Sequence, residues 1–161
     1  KSMKAVAGTL KGDLAQFREL EAFATFGSEL DAVSAAQLER GYRLTELLKQ
    51  PLNSPMPVEL QVVSVYAGTG GYLDDVAVED VKRFEIELHA YVDARHGGIL
   101  DAIRTTGNFD ADELAGAVNA FKDQFVSAAS ASLEEEHAAE AAESKAAEAA
   151  AAIAATGHGQ G

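Results

Sequence analysis

Apolar residues recur along this chain in steps of three and four. Met3, Val6, Leu10, Leu14, Phe17, Leu20, Phe23 and Phe26 follow one another at that spacing, as on one face of a 3.6-residue helix. Gly8 and Gly12 interrupt the segment and predict a kink or a split. Gly27 ends it, and Ser28 with Asp31 three residues on reads as a short capping turn. Ser34 with Gln37 is a fuller capping box and opens a helix through Leu38, Leu44, Leu47 and Leu48. Gln50-Pro51 stops that helix, because the residue before proline is pushed out of the helical region.

"PLNSPMP" (Pro51 to Pro57) then reads as a loop, and Pro57 suits the first turn of the next helix, where a missing N–H costs nothing. "VELQVVSVYAG" follows, closed by Gly68, Gly70 and Gly71. "VVSV" alone has the look of a strand, but no alternating partner lies nearby. A further helix is predicted from about Val78 to Arg95, with Val81, Phe84, Leu88 and Val92 on one face. "HGG" (His96 to Gly98) breaks it, and Ile99, Leu100 and Ile103 mark a short helix that stops at Gly107. Asp110 with Glu113 is another N-cap pair, ahead of a stripe of Leu114, Val118, Phe121 and Phe125. The pattern predicts an all-α fold, a helical bundle of about six helices with short loops, ending near Ser127.

Composition narrows the function classes. A length of 161 residues fits one domain, or one domain with an appendage, and an apolar content of 47% is enough for a core. The net charge of −13 argues against nucleic acid and against an anionic lipid surface, both of which need clustered Lys and Arg. There is no cysteine, so disulfide and thiolate chemistry are excluded. No run is long and apolar enough to span a bilayer, so no direct membrane insertion is expected. The chain opens "KSMKAV", without an initiator Met or the layout of a signal peptide, and reads as a piece of something longer.

Candidate chemistry is sparse. "GTGGY" (Gly68 to Tyr72) is rich in glycine but lacks the Lys and hydroxyl of a phosphate loop, so a helix C-cap and turn explains it better. His89, His96, His137 and His158 lie in no metal-ligand spacing. His137 follows a glutamate run, which suits weak binding of a divalent ion but is better explained as a solvated helical face. No Ser, His and Asp are spaced as a nucleophilic set. On chemistry alone the chain reads as a non-enzymatic helical domain.

Two stretches carry a resemblance. "AGTLKGDLAQFRELEAFATFGSELD" (Ala7 to Asp31) resembles the C-terminal helical domain of the alpha subunit of bacterial F-type ATP synthase. "RLTELLKQPLNSPMPVELQVVSVYAGTGGYLDDVAVEDVKRFE" (Arg43 to Glu85) continues it in the same order. The likeness runs on more weakly through "ILDAIRTTGNFDADEL" (Ile99 to Leu114) and the following helix. The "LLKQ…SPMPVE" and "YAG…GYLDD" signatures favour alpha over its sister beta.

The resemblance implies a module of a ring in which alpha and beta alternate around a central gamma shaft, at the cytoplasmic face of the bacterial plasma membrane. It implies that the intact subunit binds ATP or ADP with magnesium at a non-catalytic site. The phosphate loop and the arginine lent to the neighbouring catalytic site belong to parts of the family's subunit outside this chain. The fragment alone is therefore expected neither to hydrolyse ATP nor to bind it tightly. One contact is carried over. The loop after the "LLKQ" helix touches adenine in the family, typically through two glutamines one residue apart. Here the first is Gln50 and the second position is Leu52, which can pack on a base but not hydrogen-bond it. "FGSELDAVSAAQLERG" (Phe26 to Gly41) resembles the hairpin presented to the rotor, with Ser28, Glu29, Asp31, Gln37 and Arg40 on its polar tip.

The last stretch, from Ala128 to Gly161, departs from the family pattern as an Ala/Glu-rich extension. The expected domains are therefore 1–127 and 128–161. Alanine favours helix, but Glu136, Glu140 and Glu143 repel one another, and Glu134 and Glu135 add to the charge. Lys145 with Glu148 is a weakly favourable pair. With only Leu133 and Ile153 as sizeable apolar groups, the segment cannot bury a core and reads as an extended, partly helical tail. A helix to about Ala155 would reach on the order of 40 Å at about 1.5 Å per residue. A purification scar, a passive tail and a regulatory helix that restrains ATP hydrolysis are the competing readings. For the chain as a whole, the alternatives are a free-standing helical adaptor and a nucleotide-binding protein in its own right. Weak self-association of the isolated piece is also expected.

Overall fold

The computed structural model describes residues 1–27 and 29–125. Among these, every regular element is helical and there is no strand. The order is α1 (Ser2–Val6), α2 (Leu10–Thr25), α3 (Ala32–Leu48), α4 (Val58–Thr69), a 3₁₀ turn (Val78–Asp80), α5 (Val81–Thr106) and α6 (Ala111–Lys122). The expected tail, including Glu134, Glu135, Glu136, Glu140, Glu143 and Lys145, lies outside the described residues, as does Ser28.

α4 is apolar on nearly all sides and forms the centre of the bundle, as such a helix must. Val62 and Val63 are fully buried, and Val65 and Ala67 nearly so. α1, α3 and α5 surround α4, and α6 packs on α5. The "VVSV" stretch is thus helical despite its β-branched residues, because burial outweighs a small intrinsic preference. Val81, Phe84, Leu88 and Val92 of α5 and Leu114, Val118 and Phe121 of α6 close the core. Phe84 meets Phe121 and Phe125 edge-on at 5.1 and 5.0 Å.

α2 and α3 form a hairpin joined by close backbone approach. Gly41 faces Phe17, and a Cβ there would overlap the Phe17 side chain down to its own Cβ. Phe17 also meets Tyr42 edge-on at 5.0 Å. The apolar stripe of α2 is only partly inward: Phe17 is buried, whereas Phe23 and Phe26 are 60% and 86% exposed.

Several local expectations are corrected. Gly8 and its neighbours do split the first segment, into α1 and α2, but Gly12 lies inside α2 without interrupting it. Asp31, not Ser34, caps α3: its carboxylate accepts from the Ser34 amide at 2.7 Å. Ala32 and Val33 are already helical, so the Ser34–Gln37 box falls inside the first turns. Pro57 is the N-cap of α4 rather than its first turn, and its carbonyl accepts from Leu60 and Gln61. "HGG" does not separate two helices. Only His96 leaves helical geometry (φ −134°, ψ 34°), so the break is a kink within α5. Gly68 likewise lies inside α4, and the helix expected from Val78 opens with a 3₁₀ turn before α5; Gly107 ends α5 as expected, in the left-handed region at φ 68°. Asp110 caps α6 by accepting from the amides of Asp112 and Glu113.

Candidate functional site

The loop between α3 and α4 is where a stop signal in the sequence becomes a surface. Pro51 cannot continue α3, and the chain crosses to Pro57 with its side chains facing outward. Gln50 is exposed, and Leu52 is 91% exposed. A groove of about 670 Å³ opens beneath this loop, lined by Gln50, Pro51, Met56, Lys82, Ile86 and His89 among others. Its apolar walls are interrupted by the Gln50 amide, the Lys49 and Lys82 ammonium groups and the Glu46 and Glu85 carboxylates. Leu52 is not among the groove's lining residues, so the two positions carried over from the resemblance stand on one loop but do not share this groove.

The groove floor holds a buried polar chain that neither periodicity nor motif singled out. Lys82 Nζ donates to the Leu47 carbonyl and to Glu85 Oε2, both at 2.8 Å. Glu85 is only 4% exposed, and its Oε1 accepts from Ser64 Oγ at 2.7 Å. Ser64 Oγ in turn lies 2.8 Å from His89 Nε2. Burial holds the His89 imidazole below its ordinary value of 6.5, against the opposing pull of the Glu85 carboxylate. The only sequence signal for this set is the spacing of Lys82, Glu85 and His89 along one face of α5. Ser64 joins them from another helix.

The hairpin residues are placed as follows. Glu29 and Gln37 are exposed, and Asp31 is occupied as the α3 cap. The hydrogen bond from the Ser34 amide holds the Asp31 carboxyl below its usual range. Arg40 is half-buried and engaged: its guanidinium grips Asp74 with two nitrogens, Nε lying 3.0 Å from Oδ1. That fork ties α3 to the turn after α4. Phe26 and Val33, which flank the turn, are 86% and 70% exposed, so the tip is apolar as well as polar.

A second buried carboxylate, Glu59, meets Arg104 Nη2 at 2.8 Å and joins α4 to α5 beyond its kink. No group of His, Asp and Glu among the described residues could hold a metal ion. No helix among them is long and apolar enough to cross a membrane.

The family model for the "ATP synthase alpha/beta chain, C terminal domain" matches residues 1–125, and the chain belongs to that family. The relatives it resembles are alpha subunits, as the "LLKQ…SPMPVE" and "YAG…GYLDD" signatures imply. It is 56% identical over 142 residues to ATP synthase subunit alpha of Frankia alni, covering 86% of this chain and 26% of that protein. Against the same subunit of Mycobacterium avium it is 56% identical over 141 residues, covering 85% and 26%. Against that of Thermobifida fusca it is 54% identical over 144 residues, covering 88% and 26%. The chain thus spans about a quarter of the length of these relatives. An overlap of 85% or more does not fit within residues 1–125, so the likeness carries past Phe125 into the tail.

Proposed function

We propose that the chain works as the C-terminal module of an ATP synthase alpha subunit, packing against beta subunits and the gamma shaft and supporting ATP synthesis. The observation that carries this reading is the family match over residues 1–125. Residues 1–127 form the packing module in this reading, and 128–161 the extension. The complex sits at the cytoplasmic face of the bacterial plasma membrane as a peripheral assembly.

Gln50 and Leu52 contribute to the non-catalytic nucleotide site of the intact subunit, which takes ATP or ADP with magnesium. The residues present fit a base and not its phosphates. Gln50 offers an amide at the lip of an apolar groove, Leu52 offers an apolar face, and the phosphate-binding elements would come from the rest of the subunit. The fragment performs no chemistry alone. The hairpin tip faces the shaft through Ser28, Glu29, Asp31, Gln37 and Arg40, aided by exposed Phe26 and Val33.

The tail restrains ATP hydrolysis in this reading. Its supports are acidic helix-favouring composition and a setting beside a rotating partner. Deleting 128–161 from the subunit in the assembled complex should raise the ATP hydrolysis rate while leaving assembly intact. An unchanged rate would reduce the tail to a passive appendage.

A further inference from the structure

The α3–α4 loop shows Gln50 and Leu52 to solvent, yet both of its ends are held from beneath. α3 ends just before Pro51, which leaves its last carbonyls without partners inside the helix. Lys82, on a different helix, supplies one partner by donating to the Leu47 carbonyl at 2.8 Å. At the far end Gln61 Nε2 donates to the Met56 carbonyl at 2.6 Å. The loop between them lies outside the hydrophobic core: Pro51 to Pro55 are all exposed. Two side-chain hydrogen bonds thus flank the loop, beside its own turn bond from the Ser54 N–H to the Pro51 carbonyl.

The Lys82 tether is itself fixed. A lysine free in solvent samples many rotamers and holds nothing firmly. Here the ammonium is pinned at 2.8 Å by Glu85, whose carboxylate is buried and oriented by Ser64. A buried carboxylate needs a charge partner, and an i,i+3 lysine satisfies that requirement locally. Nothing in that requirement makes the lysine reach the end of a neighbouring helix. The reach to Leu47 is a second function of the same side chain, and it falls three residues before Gln50.

We propose that Lys82 is the positioning residue for the α3–α4 loop, pinning the Leu47 carbonyl while the buried Glu85–Ser64 pair pins its ammonium. Its consequence for a nucleotide base rests on the Gln50 reading above; its effect on the loop does not.

Backbone ¹⁵N order parameters on this chain test the proposal, with Lys82→Met, Lys82→Arg and Glu85→Gln beside the wild type. Lys82→Met keeps the apolar stem and removes the donors. Its loop amides at Lys49, Gln50 and Leu52 should fall to about 0.6 or lower, while residues 62–65 of α4 stay near about 0.85. Lys82→Arg retains a cationic donor and should restore at least half of the loss. Glu85→Gln keeps the carboxylate's shape and frees the ammonium, so it should loosen the same three amides, and it gives the reading if Lys82→Met does not fold. Unchanged loop values in a folded variant would overturn the proposal. So would an equal fall in loop and α4, or an Arg variant no better than Met. A parallel arm separates the two readings. If Gln50→Ala leaves nucleotide retention by the assembled complex unchanged while Lys82→Met still loosens the loop, the base contact fails and the positioning role stands.

Discussion

His89 stands against the groove floor with an imidazole nitrogen 2.8 Å from Ser64 Oγ. Burial disfavours its charged form, and Lys82 adds to that effect, while Glu85 and a hydrogen bond with the Leu60 backbone oppose both. Asp93, Glu59 and Arg104 line the neighbouring groove on its other side. The sign of the pH dependence follows from the lowered value. Below about pH 6.5 the unfolded chain takes up a proton at this histidine while the folded chain resists it, so folding is penalised as pH falls. The penalty grows from the ordinary value down to the lowered folded value and is constant below that. Urea titrations between pH 5 and 8 should therefore show the wild type losing stability on the acid side. His89→Gln should lose less over the same interval. Equal slopes in the two proteins would assign the acid sensitivity to other groups. The sequence offered little here: His89 had no metal spacing and no catalytic partner, Lys82 and Glu85 share its face of α5, and Ser64 joins them only once α4 packs on α5.

The elements were more legible than their joints. Spacing in steps of three and four located α2, α3 and the buried stripes of α5 and α6. Caps and breaks were harder, because several residues compete for each role. Ser34 lost the cap to Asp31, whose carboxylate accepts from the Ser34 amide and starts the helix three residues earlier. Gly97 and Gly98 lowered helix propensity without ending α5, since Ile99, Leu100 and Ile103 remain buried in the same core and hold the helix together across its kink. The exposure of Phe23 and Phe26 was likewise invisible to periodicity, which marks a face without saying whether anything covers it. The approach of α2 to α3 is the most demanding of these joints. Gly41→Ala would drive a Cβ into Phe17, including its own Cβ, so rotation of the ring cannot relieve the clash. Overpacking of this kind costs about 1–3 kcal/mol. Chemical denaturation should show that loss, and the Phe17–Tyr42 edge contact should loosen with it. A variant as stable as the wild type would mean that the hairpin can spread without cost.

At the scale of the whole molecule, residues 1–125 combine one closed core with two outward features, the proline-flanked loop and the hairpin tip. The family was legible from "LLKQPLNSPMPVE" and "YAGTGGYLDD" together. The structure gives those stretches a physical reason. The first builds the α3–α4 loop, and the second ends α4 and returns Asp74 to Arg40. The proposed role is that of an alpha-subunit module in a working rotary complex. ATP synthesis by inverted membrane vesicles tests it most directly, using a bacterial alpha subunit in which Lys1 to Phe125 of this chain replaces the corresponding region. The hybrid should assemble with beta and gamma and sustain proton-driven ATP synthesis; a hybrid that folds but fails to assemble, or assembles and makes no ATP, would rule out that role.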